Sequence, residues 1–116
     1  MKETPWVSWN ENIKHQLEQQ HSITTEAEFA QAIRDAKNVR YFGSKQSSSD
    51  IAAGTSTLIN TKAYNQILNI DSKNKQITVQ SGIQLKELIE AVEAHNWCIP
   101  CLPDINTVSI GGALAT

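Results

Sequence analysis

The sequence predicts an α+β domain, and three features carry that expectation. Two segments show helical spacing of apolar residues, several short runs favour strand, and one of those runs breaks at a glycine into a hydroxyl-rich loop. Thr25 and Glu28 mark the start of the first helix as a capping box, in which the threonine oxygen takes a first-turn N–H and the glutamate reaches back. Phe29, Ala32, Ile33 and Ala36 then recur on one face, which predicts a helix over 25–37. Val39, Tyr41 and Phe42 favour extended backbone directly after it, a helix–strand step of the kind found in α/β units.

A further short strand is expected over 57–60, followed by a turn over 64–68 and a strand over 69–71. Residues 72–75 form a hairpin tip, because Gln76 to Gln80 alternate apolar and polar with period two. Ser81-Gly82 ends that strand. The second helix is expected over 84–95, with Leu85, Leu88, Ile89 and Val92 on one face and Lys86, Glu87, Glu90 and Glu93 on the other. The chain thus divides into a small parallel βαβ-like unit over 1–60 and the start of a mixed or antiparallel subdomain over 61–116.

Composition excludes several functions. The chain has 116 residues, 40% hydrophobic and 19% charged, enough for one globular domain with a core. A net charge of −2 and scattered Lys and Arg give no basic field, so nucleic acid is not an expected partner. No apolar run approaches the roughly 20 residues of a membrane span, and the opening residues lack the apolar core of a signal peptide. A cytoplasmic location is expected, with any membrane association carried by segments outside this one.

Trp6 and Trp9 are expected to clamp the first segment onto the domain. His15 and His21 stand in a polar run without ligand partners and read as surface histidines. Cys98 and Cys101 could form a redox pair, or metal ligands together with His95. Pro100 and Pro103 argue for extended chain there and no fourth ligand is evident, so packing roles are expected and no metal site is assigned.

The stretch that carries chemistry follows Phe42. Gly43 permits a sharp turn or a close approach, and Ser44, Ser47, Ser48 and Ser49 supply small hydroxyl side chains and open backbone N–H groups. Such a set suits a diphosphate, whose charge is spread over oxygens that accept several hydrogen bonds at once, and Lys45 adds a counter-charge. On composition alone a simple solvated loop is the favoured explanation of the run.

Gly43-Ser44-Lys45-Gln46-Ser47-Ser48-Ser49-Asp50-Ile51-Ala52 resembles the diphosphate loop of FAD-dependent oxidases of the vanillyl-alcohol oxidase family. In the sugar-lactone and alditol oxidase branch that loop runs Gly-x-Gly-His-Ser-x-Ser-Asp-Ile-Ala. The second half matches fully, while Lys45 stands at the second glycine and Gln46 at the histidine that carries a covalent flavin bond in many members. An amide cannot form that bond, so the resemblance implies FAD held non-covalently. Trp6-x-x-Trp9 near the start, and Val79-Gln80-Ser81-Gly82 followed by Leu85-Lys86-Glu87-Leu88, occupy the places where the family has similar residues.

The closing stretch, with Ser109, Ile110, Gly111, Gly112 and Thr116, resembles the family segment that brings backbone against the flavin. Close packing of Gly-Gly-Ala on a strand is its plain structural alternative. The resemblance implies the amino-terminal fragment of a PCMH-type FAD-binding domain. The whole would oxidise a hydroxyl-bearing carbon of a sugar lactone or polyol, with its catalytic residues beyond Thr116. An incomplete second sheet is expected to leave an open strand edge and to favour self-association. The competing expectation is a degenerate domain without flavin that serves as an interaction module.

Overall fold

The structure, a computed structural model, describes residues 4–7, 14–17, 19–45 and 57–115. Strands β1 (Thr4–Val7) and β2 (Lys14–Leu17) pair antiparallel. The polar run over 14–22 is therefore largely strand, which its low β-propensity does not suggest. Trp6 lies in β1 opposite His15 in β2, and Trp9 falls outside the described residues.

Strand β3 (Gln19–Ser22) leads into helix α1 (Glu26–Asp35), which returns the chain to β4 (Val39–Phe42). Strand β5 (Thr57–Asn60) then enters between them, so the parallel sheet has the order β3-β5-β4. The central strand is covered on both faces, as parallel strands usually are, and Leu58 and Ile59 are both 0% exposed. The polar sequence of β3 is tolerated because it sits at an edge, where one side of the strand has no partner strand among the described residues. His21, on that strand, is half-buried rather than at the surface.

The N-terminus of α1 is capped as its sequence foretells. Thr25 Oγ1 accepts the Glu28 N–H at 3.2 Å, and the Glu28 carboxylate in turn accepts from the Thr24 amide and hydroxyl. Its apolar face meets the sheet through Ala32 against Ile23 and Ile59, with Phe29, Val39 and Tyr64 around them. Phe29 packs edge-on against both Tyr41 and Tyr64, at 6.2 and 5.8 Å between ring centres.

A second cluster is built on the antiparallel hairpin β6 (Ile67–Asp71) and β7 (Gln76–Val79) with helix α2 (Leu85–Glu93). Leu85, Leu88 and Val92 form its buried centre, flanked by Ile77, Val79, Trp97 and Ile110. The helix stops where Asn96 takes a left-handed φ of 60°, which its short amide side chain tolerates, and the Asn96 and Trp97 amides bond the Glu93 and Val92 carbonyls. Residues 97–100 then alternate, with Trp97 and Ile99 half-buried and Cys98 and Pro100 outward. Cys98 and Cys101 are both exposed and unbonded, which corrects the packing role expected for them.

A last helix, α3 (Ile110–Ala115), was not expected, since two glycines in its first turn each disfavour helix by about 1 kcal/mol. Tertiary bonds hold it instead. The Ile110 and Gly111 amides donate to the Ile83 and Ser81 carbonyls, while the first amides of α2, Leu85 and Lys86, donate to the Val108 and Asn106 carbonyls. Each helix is thus capped by the chain leading into the other, around an antiparallel bridge of Gln84 and Ser109.

Candidate functional site

In a parallel sheet the loops at the carboxyl ends of the strands are free to form a binding crevice, because the return helices occupy the faces. Here those ends bring the turn after Phe42 beside the turn after Asn60. The Phe42 carbonyl accepts both the Thr61 amide (3.1 Å) and the buried Thr61 hydroxyl (3.0 Å), which fixes one turn to the other. The Lys62 amide donates to Asn60 Oδ1 at 3.0 Å, a side-chain turn that sets the direction in which Lys62 leaves the sheet.

Two glycines then let the crossed segment of α2 and α3 close against these turns. A Cβ on Gly43 would collide with the Ser109 hydroxyl and lie 2.6 Å from Ser109 Cβ. A Cβ on Gly82 would collide with the Thr61 carbonyl and lie 2.6 Å from that of Tyr64, the latter already accepting the Gly82 amide at 2.8 Å. Between the two walls lies a cleft of about 320 Å³, lined on one side by Phe42, Gly43, Ser44, Lys45, Asn60 and Lys62, and on the other by Gln84 and Thr107.

The chemistry of the lining is one-sided. Among the described residues it holds two lysines and no carboxylate, in a chain whose net charge is −2. Among the described residues the Gly43, Ser44 and Lys45 amides make no hydrogen bond, so they stand ready as donors. Lys45 is held at φ 58°, the left-handed backbone that a glycine would adopt without strain. Its ammonium lies 5.4 Å from the centre of the Phe42 ring, a cation–π contact that keeps it at the cleft. Cations, hydroxyls and free amides around a concave turn fit the diphosphate of a dinucleotide such as FAD.

Of the residues the sequence points to, Gly43, Ser44 and Lys45 line this cleft. Gln46, Ser47, Ser48, Ser49, Asp50 and Thr116 lie outside the described residues. Ser109 is buried behind Gly43, where its hydroxyl accepts the Gly112 amide at 3.3 Å. The amides of Ile110 and Gly111 are engaged with Ile83 and Ser81, so this segment braces the wall that Gln84 and Thr107 complete. Asn60, Lys62, Gln84 and Thr107 were not singled out from the sequence. Asn60 and Lys62 could have been found from the rule that ligands gather at the ends of parallel strands. Gln84 and Thr107 depend on the crossing of α2 and α3, which has no local signal.

A second cleft, of about 450 Å³, lies between the tip of the hairpin and residues 96–100, next to Cys98. Among the described residues no group of three or more His, Cys, Asp or Glu side chains could hold a metal ion, and no helix is long and apolar enough to cross a membrane.

A family model described as an FAD binding domain matches residues 22–116. The chain is similar to L-gulonolactone oxidase of Mus musculus, with 31% identity over 87 residues that make up 75% of this chain and 20% of that protein. It is also similar to the mitochondrial L-galactono-1,4-lactone dehydrogenase 1 of Oryza sativa subsp. japonica, with 28% identity over 85 residues, 73% of this chain and 15% of that one. The chain therefore spans a fifth or less of the length of these curated relatives. In fold it is similar to cholesterol oxidase from Brevibacterium sterolicum, with a TM-score of 0.78 and 19% identity over 98% of this chain and 24% of that chain. The order of elements, the donor-lined cleft at the strand ends and these likenesses agree: the chain belongs to the FAD-binding domain family.

Proposed function

We propose that this chain is the diphosphate-holding, amino-terminal part of an FAD-dependent oxidoreductase that acts on a hydroxyl-bearing carbon of a sugar lactone or polyol. The observation that carries the reading is the cleft at the ends of β4 and β5, where free amides and two lysines face a wall braced by Ser109. Similarity to a gulonolactone oxidase and a galactonolactone dehydrogenase supports the substrate class.

FAD, when bound, supplies the hydride acceptor. The work of this chain is to bind and orient: Gly43 and Ser44 offer donors, and Asn60 and Thr107 add polar groups across the cleft. Gln46 to Asp50 and Thr116 join the proposed cofactor-contacting set, while Ser109 to Gly112 serve by bracing the opposite wall. The first subdomain in this reading runs to about residue 60, the second from there onward. With Gln46 in the loop, attachment to the flavin is non-covalent. Nucleic acid is no partner in this reading, which the net charge of −2 and the scattered Lys and Arg support. Self-association of the isolated chain, through a strand edge left open by the incomplete second sheet, belongs to the same reading.

The complete protein, gently purified, is expected to show flavin absorbance near one FAD per chain, to release that flavin on acid denaturation, and to bleach when a sugar lactone is added without an electron acceptor. A colourless protein that cannot be loaded with FAD would favour the flavin-free interaction module.

A further inference from the structure

Two lysines line the cleft, Lys45 in the turn after Phe42 and Lys62 in the turn after Asn60. Lys45 occupies a left-handed position, φ 58°, that costs an L-residue on the order of 1–2 kcal/mol over ordinary backbone. Its retention there is explained if the side chain does something a glycine could not. Lys62 leaves the neighbouring turn, which Asn60 holds by its side-chain oxygen and Thr61 fastens to Phe42. Among the described residues neither ammonium makes an ion pair, and the lining offers no carboxylate to neutralise them. Two like charges gathered around one concave turn repel each other, and an anion between them removes that cost.

We propose that Lys45 and Lys62 form a two-armed cation clamp for a diphosphate, so that this site binds diphosphate anions as such and holds FAD in large part by charge. The inference rests on the flavin reading for the identity of the dinucleotide, but not for the anion site. Backbone amides of a glycine turn hold a diphosphate by short, directed hydrogen bonds that salt weakens little. A clamp of two exposed lysines is screened, because the Debye length falls from about 10 Å at 0.1 M to about 3 Å at 1 M. Binding here therefore depends steeply on ionic strength, and free diphosphate competes with FAD.

The test uses the complete protein with two probes, inorganic diphosphate followed by calorimetry and FAD followed by quenching of its fluorescence. At low salt Lys62→Met is expected to weaken both about tenfold and Lys62→Arg to stay within about threefold of the parent. Riboflavin, which has no phosphate, is expected to be indifferent to either change. Raising the salt to about 1 M should erase the difference between Lys62→Met and the parent. If the parent binds FAD but diphosphate neither binds nor competes, or if Lys62→Met is without effect on both, the clamp is overturned while the flavin reading stands. If diphosphate binds and depends on Lys62 but FAD does not bind, the clamp stands and the flavin reading falls. Equal loss of riboflavin and FAD affinity in Lys62→Met would assign the lysine a structural role and also overturn the clamp.

Discussion

The two walls of the cleft are built on opposite principles. The turn over 43–45 follows a buried parallel strand and leaves its backbone donors open, whereas the segment over 109–112 has its donors engaged with Ser81, Ile83 and Ser109 itself. Both segments are rich in small residues, and from sequence they read alike. The difference teaches that glycine serves two purposes here. Gly43 and Gly82 let one wall reach the other, while the free amides that a ligand needs belong to one wall only.

The most damaging way to break this arrangement is at the root of the donor wall. Leu58→Ala removes a fully buried side chain from the central strand and is expected to cost about 2–5 kcal/mol, read as a lowered midpoint in denaturant unfolding. Next comes the contact itself. Gly43→Ala forces a methyl into Ser109 and is expected to cost about 1–3 kcal/mol, and Ser109→Gly should relieve most of it in the double variant because the remaining Cα lies 3.9 Å away. A smaller effect, about 1 kcal/mol, is expected for Thr61→Val, which keeps the shape but deletes the hydroxyl bond from the end of β5 to the end of β4.

The smallest effect lies far from both walls and serves as a control. The Asp71 carboxyl at the hairpin tip is held below its ordinary 3.8, first by the Asn74 side chain at 2.8 Å and then by the Asn74 and Lys73 amides. A depressed carboxylate adds stability that is present above 3.8 and is lost as the pH falls through the lower folded value. An Asp71→Asn variant should therefore flatten acid unfolding slightly below that pH and leave flavin binding untouched.

How much of this was legible in the sequence depends on where the determining interactions lie. Helix α1 was readable because Thr25 and Glu28 sit within one turn, and α2 because Leu85, Leu88 and Val92 recur on one face. The strand at 57–60 and the hairpin at 67–79 announced themselves by composition and alternation, although β6 begins earlier than expected, at Ile67. Strands β1 to β3 were missed, since Gln19-Gln20-His21-Ser22 is strand only through its pairing with β5. Helix α3 was missed because its cap comes from Ser81 and Ile83, nearly thirty residues back. At the site, Gly43 to Lys45 were legible as a local motif. Gln84 and Thr107 were not, since they reach the cleft by a crossing that no short window of sequence encodes.

The account stands on the two walls meeting at Gly43 and Ser109 to make one FAD site. FAD titration of the complete protein against Gly43→Ala and Gly43→Ala/Ser109→Gly tests it most directly. The expected result is affinity lost in the single variant and largely regained in the double one. Undiminished FAD affinity in Gly43→Ala, or a loss that Ser109→Gly fails to repair although the double variant folds, would contradict it.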